Sequence, residues 1–240
     1  MTRLPIAALA VRTGWLAILA AGVLGALPAP APAGLYRQTG CSPTSRGTAG
    51  WDERFTASRS QFPRLTVTNQ CAGGGELGAT HWGERDVLMP AGGGAGWRYQ
   101  ASPGTEIRGI ALKIRGWTTI WEGQIGDVAV RADGAVLASF PQRGVFDAAL
   151  SRGDLHAPNV EVIAGCATPC ATEWSLAWMA IRDIEVTLGD DLPPVATGAV
   201  DGTLAADATL QGRETIEVAA TDVGGGVREL RLSSDGTVVW

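Results

Sequence analysis

The sequence predicts an all-β chain: a jelly-roll-like β-sandwich over 61–189, followed by the beginning of a second β-sandwich module. Three observations carry this prediction. Apolar residues alternate in short runs bounded by glycine and proline, which is the period of half-buried strands rather than of helices. Helical periodicity is scarce beyond the N-terminal apolar run, and many short strands between Gly/Pro turns are the mark of a sandwich or jelly roll. A proline pair and a change in charge near residue 190 then divide the chain in two.

The N-terminus reads as an export signal over 1–33. Arg3 and Arg12 supply positive charge, the thirteen residues Trp15–Leu27 an apolar run, and Ala31-Pro32-Ala33 the small residues of a cleavage site, expected after Ala33. The run falls short of the about 20 apolar residues that span a bilayer, so no stable membrane span is expected after cleavage. Removing the two arginines of 1–33 takes the formal charge from −5 to −7. Residues 190–240 hold nine acids against Arg213, Arg228 and Arg231, whereas 34–189 are nearly balanced, with fifteen acids and fourteen bases. An acidic exported chain is a poor partner for nucleic acid, which is bound through basic patches.

Residues 34–60 are polar and rich in Gly, Ser, Thr and Arg, and are expected to form an irregular lead-in. Leu65–Thr68 alternates as a short strand, and Cys71 opens a turn at Gly73–Gly75. Trp97-Arg98-Tyr99, the turn Ser102-Pro103-Gly104 and the alternation Ile110, Leu112, Ile114 suggest a two-stranded motif with one apolar face, the core hairpin of the sandwich. A second hairpin is expected where Val128 and Val130 meet Val136 and Ala138 across Asp133-Gly134. Val145-Phe146 and Val160–Ile163 add short strands. Over 173–188 the residues Trp174, Leu176, Trp178 and Ala180, and then Ile184, Val186 and Leu188, share one parity. That predicts a long strand with Trp174 and Trp178 inside; the i, i+4 spacing of the two tryptophans leaves a helix as the rival. Asp190–Pro194 is the linker, since two prolines cannot continue a central strand.

After the four cysteines Cys41, Cys71, Cys166 and Cys170, disulfides are expected, because an even number in an exported chain favours them. Three pairings are formally possible. The short loop Cys166-Ala-Thr-Pro-Cys170 closes most readily on itself, leaving Cys41 for Cys71. Metal is not expected, since zinc sites use C-x2-C pairs and the spacings here are 29, 94 and 3 intervening residues. No cofactor is indicated: the glycine clusters at 73–75, 92–94 and 224–226 lack the Lys-Ser/Thr of a phosphate loop and read as turns.

Beyond the linker, ATDVGGGV at 220–227 and LRLSSDGTVV at 230–239 resemble the bacterial Ig-like modules of secreted and surface proteins of actinobacteria. Such a module takes about 100 residues and seven strands, so 195–240 is expected to be a partial one. Trp97, the segment PGTEI at 103–107 and the Cys166/Cys170 pair make 71–188 look like the lectin- or glucanase-like sandwich that precedes Ig-like repeats. The resemblance implies an extracellular or cell-surface location and an architecture, not a reaction.

Catalytic constellations are thin. No E-x-D-x-x-E triplet is present, Asp183 and Glu185 lie opposite the apolar face of their strand, and no G-x-S-x-G elbow accompanies His81 or His156. The acids Asp190, Asp191 and Asp222 supply only part of a calcium shell. Tryptophan is the richer signal, with seven between 51 and 178. Trp117, Trp121 and Glu122 in an expected loop, and Trp82 with Glu84, are the candidate ligand-binding residues, with Trp97 and Tyr99 as a further pair. Core packing is the rival role for any of these tryptophans. The function expected is non-catalytic binding or display outside the cell, with a polysaccharide or cell-wall glycan as ligand. The alternatives are a structural spacer and a concanavalin-like polysaccharide-acting enzyme.

Overall fold

A computed structural model of the chain describes residues 34–82, 87–171, 175–205, 215–227, 230–234 and 237–238. Gly34–Asp190 forms one compact unit, and Asp191–Trp240 belongs to another. In the first unit the described strands are β1 (Gly34–Gly40), β2 (Trp51–Phe55), β3 (Thr66–Asn69), β4 (Leu77–Trp82), β5 (Gly94–Gln100) and β6 (Thr105–Thr118). They continue as β7 (Ile120–Trp121), β8 (Gln124–Ala132), β9 (Ala135–Ser139), β10 (Gly144–Arg152), β11 (Asn159–Cys166) and β12 (Ser175–Asp190). One sheet has the order β10-β6-β12-β4-β3, with β1 also on β12; the other has the order β2-β5-β11-β8-β7, with β9 also on β8. All pairings are antiparallel.

The chain crosses from sheet to sheet at almost every connection from β4 to β12, which is the winding of a jelly roll. The core hairpin expected from Trp97–Tyr99 and Ile110–Ile114 does not form. β5 and β6 do not pair as a hairpin: β5 lies between β2 and β11, and β6 lies between β10 and β12. Ser102–Gly104 is a corner between layers, with Gly104 at φ +82°. The expected irregular lead-in also differs, since β1 pairs along β12 and β2 along β5. The hairpin at Asp133-Gly134 agrees with expectation. Both residues have positive φ, 47° and 79°, as a two-residue turn of primed type requires.

The core lies between the sheets. Ile110, Leu112 and Ile114 of β6 and Met179, Ile181 and Ile184 of β12 meet Trp97 and Tyr99 of β5, Val128 and Val130 of β8, and Val160 and Val162 of β11. Each aliphatic side chain buried in this way contributes about 1.5–3 kcal/mol. The aromatic members keep polar partners: Trp97 donates Nε1–H to the Gly78 carbonyl at 2.9 Å, and the Tyr99 hydroxyl bonds Gln38 Oε1 at 3.0 Å. Trp97 and Tyr99, offered by the sequence as binding candidates, are core residues, each 3% exposed. Desolvation, with Tyr36 nearby, pushes the Tyr99 phenol up to about 12.

Strand β12 runs the length of its sheet, which excludes the helical rival, but its faces are not those the parity predicted. The register slips between Arg182 and Glu185, where Asp183 takes φ 50° and donates its N–H to the Cys41 carbonyl at 2.9 Å. This bulge supplies one extra residue and flips the strand. Ala177, Met179 and Ile181 point inward before it, and Ile184, Val186 and Leu188 after it. Trp178 is therefore on the outer face, not in the core. Trp174 lies outside the described residues.

Two disulfides close as expected, Cys41–Cys71 and Cys166–Cys170. The first joins the end of β1 to the short 3-10 turn after β3. The second lies beside a small apolar cluster formed by Phe62, Leu65, Met89, Ala95 and Leu176. In the second unit, β13 (Val195–Ala196) pairs with β14 (Ala220–Thr221), and β15 (Ser233–Ser234) with β16 (Thr237–Val238). Asp222 Oδ1 accepts the Gly224 N–H at 2.8 Å, building the turn expected there.

Candidate functional site

The outer face of the first sheet carries a ladder of side chains whose order follows from strand register. Val145, Trp117, Trp178, Thr80 and Thr66 stand side by side across β10, β6, β12, β4 and β3. Trp117 and Trp178 are direct cross-strand partners, and such pairs set Cβ atoms about 4.5–5.5 Å apart. Both tryptophans are half-buried, and Val145 beside them is 77% exposed. Trp117 was expected in a loop and instead ends β6. Its neighbours Gly116 and Thr118 are buried, so strand alternation turns it outward.

The next row across the same strands is Asp147, Arg115, Ala180, Gly78 and Thr68. Ala180 and Gly78 make a low floor beside the tryptophans. A side chain at Gly78 would meet Thr68 Oγ1 at 2.4 Å. Over that floor runs an ion pair: Arg115 donates through Nη2 at 2.6 Å and Nε at 3.1 Å to Glu76 Oε2. Arg115 is on β6 and Glu76 immediately precedes β4, the strands on either side of β12, so the pair crosses Ala180. This explains why an alanine on an outer face is only 6% exposed. The hydrogen bond to Glu76, together with its charge, raises the Arg115 guanidinium above its ordinary value. Lys113 and Arg182 form the following row, with Lys113 Nζ 2.9 Å from Asp183. Glu185 pairs with Arg37 at 3.4 Å. The solvent-facing role expected for Asp183 and Glu185 thus takes the form of surface ion pairs.

The other sequence-predicted residues are dispersed. Trp121 pairs with Gln124, and Glu122 with Gly123 forms the tight turn between β7 and β8, at φ 50° and 79°. Glu122 is exposed, and this hairpin is fastened to the 166–171 loop by Gln124 Oε1, which accepts the Ala171 N–H at 2.7 Å. Trp82 pairs through its backbone with Ser175. The side chains of Trp82 and Trp121, and all of Glu84, lie outside the described residues. Sequence reasoning missed Trp178, Arg115 and Glu76. The cross-strand pairing of Trp117 with Trp178 needs the register of β6 on β12, which no local pattern encodes.

The two histidines differ sharply. His156 is exposed and within 3.1 Å of Glu106 and 3.0 Å of Arg108. His81 sits on β4, facing inward and fully buried, with Nε2 3.7 Å from Cys166 Sγ. Burial lowers its pKa from 6.5 to about 4, so the imidazole is neutral at pH 7.

No protein-family model matches the chain, and no curated protein is significantly similar to it. Among solved structures, the chain is similar to a family 11 carbohydrate-binding module from Clostridium thermocellum in complex with a β-1,3-1,4-mixed-linked tetrasaccharide. The identity is 11% and the TM-score 0.29, over 65% of this chain and 96% of that one. The CBM22-1 xylan-binding domain of Paenibacillus barcinonensis Xyn10C gives 9% identity and a TM-score of 0.28, over 68% of this chain and 99% of that one. A family 11 module of the C. thermocellum cellulase Lic26A-Cel5E gives 13% and 0.23, over 71% and 95%. The chain is an all-β protein whose larger unit is a jelly-roll β-sandwich, on the strand pairing itself.

Proposed function

We propose that the sandwich is an exported, non-catalytic module that binds an extracellular polysaccharide or cell-wall glycan on the outer face of its first sheet. The observation that carries the reading is the outward Trp117–Trp178 pair standing beside the Arg115–Glu76 ion pair. A sugar ring has an apolar C–H face and a rim of hydroxyls. Indole rings take the first by dispersion and desolvation; a fixed guanidinium and carboxylate take the second through charge-assisted hydrogen bonds. Because Glu76 already holds Arg115 in place, little side-chain entropy is left to lose on binding. Among the described residues the face is open, which suits a chain running along the surface rather than a small molecule enclosed on all sides.

Export is supported by the composition of 1–33 and by the two disulfides, which persist in oxidising compartments. The second unit is, in this reading, part of an Ig-like spacer that sets the sandwich away from its neighbour. The test is titration of the purified chain with soluble β-glucans, xylan and peptidoglycan fragments after a glycan-array screen. Saturable binding to one of these, lost in the Trp117→Ala/Trp178→Ala double variant with the fold intact, is the expected result. Binding unchanged by that pair of substitutions would remove the site.

A further inference from the structure

Inside the sandwich, at the end where the 166–171 loop closes, three metal-ligating side chains converge in a place the glycan face does not use. His81, Cys166 and Cys170 have their ligand atoms all within 4.8 Å of one another, and all three residues are buried. They come from different parts of the fold: β4, the end of β11, and the loop position whose backbone pairs with Met89. Among the described residues the two cysteines cluster with Phe62, Leu65, Met89, Ala95 and Leu176.

We propose that the Cys166–Cys170 disulfide covers a redox-gated Cu(I) site: once it is reduced, the two sulfurs and His81 Nε2 bind one Cu(I) ion. Two-electron reduction by an external phosphine or dithiol adds two electrons and two protons and yields two thiols. Cu(I) then displaces both thiol protons to solvent. The imidazole binds through Nε2 as the tautomer that keeps its proton on Nδ1. Soft thiolate donors select soft ions over hard, hydrated ones. The three donors that converge among the described residues fit a trigonal Cu(I) better than zinc, whose structural sites close with four. While the disulfide is intact, neither sulfur is a thiolate and the site is shut, so oxidation state decides occupancy.

The experiment uses the full chain, reduced with a phosphine under anaerobic conditions, freed of reductant, and titrated against the coloured Cu(I)–bicinchoninate complex. Reduced protein should withdraw one equivalent of copper per chain, and the disulfide-closed protein none. X-ray absorption on the copper should show two sulfurs and one nitrogen. His81→Gln should weaken binding by at least about tenfold, the scale on which even supporting residues of metal sites act. Cys166→Ser/Cys170→Ser, which keeps Cys41 and Cys71, should abolish that nitrogen-ligated copper. Failure of the reduced chain to take copper, copper without a nitrogen ligand, equal binding by the serine pair, or displacement of the copper by equimolar zinc would each overturn the proposal. The absorption spectrum of the unsubstituted chain decides the matter even if His81→Gln does not fold.

Discussion

Protonating His81 should destabilise the sandwich in a predictable pH window. The ring is fully buried, and desolvation lowers its pKa from 6.5 to about 4. Between those values the unfolded chain binds a proton that the folded chain refuses. Stability therefore rises with pH across the window, is complete above about pH 6.5, and is lost as pH falls toward 4. The shift corresponds to about 3 kcal/mol in full, and to about 2 kcal/mol at pH 5 relative to pH 8. For a domain of this size, about 2 kcal/mol is roughly 4–8 °C in Tm. The assay is thermal unfolding followed by tryptophan fluorescence from pH 8 to pH 4.5, on the unsubstituted chain and on His81→Gln. Carboxylates titrate in both proteins, so the difference between their pH profiles isolates His81. The account requires the variant to lose the steep part of the decline between pH 6.5 and 5. Parallel profiles for the two proteins would refute a neutral, desolvated His81.

Three further outcomes follow from the packing. Cys41→Ala/Cys71→Ala should cost more stability than Cys166→Ala/Cys170→Ala, because the loops closed span separations of 30 and 4 residues. Chain-entropy reasoning gives about 3.6 against about 2 kcal/mol, measurable as denaturation midpoints in guanidinium chloride; the reverse order would contradict it. Gly96→Ala should destabilise by about 2–3 kcal/mol or prevent folding, since its Cβ would sit 1.9 Å from the Val162 carbonyl oxygen, a backbone atom of the neighbouring strand. An unchanged melting temperature would show that the β5–β11 spacing is wrong. Arg115→Ala should leave stability within about 1 kcal/mol, as surface ion pairs do, while weakening glycan binding several-fold in isothermal titration. A large stability loss without an effect on binding would give the pair a purely structural role.

The legible parts of this fold were those written locally. Asp133-Gly134 announces its hairpin because only residues tolerant of positive φ make that turn, and the apolar alternations of β6, β8 and β12 each identify a strand. What local pattern cannot carry is the partner. Trp97-Arg98-Tyr99 and Ile110–Ile114 are neighbours in the chain and alternate alike, yet they belong to opposite sheets, because a Pro-Gly corner between layers resembles a hairpin turn. The bulge at Asp183 hides the outward position of Trp178: residues 176 to 188 keep one parity in sequence, while the strand changes face midway. β1 and β2 were missed because edge strands mix polar and apolar residues and lack the continuous alternation of central ones. The approach of His81 to the Cys166–Cys170 pair has no local signal either, because the histidine arrives from a strand 85 residues away.

The central claim is that the tryptophan pair on the outer face of the first sheet holds a glycan chain. Affinity for the best soluble polysaccharide from the array, measured by isothermal titration, tests it most directly on the unsubstituted chain, Trp117→Ala, Trp178→Ala and the double variant. Each single substitution should lower affinity about tenfold, the scale of an interface anchor. The double variant should show no saturable binding while keeping its melting temperature within a few degrees. Full affinity in the folded double variant would contradict the claim.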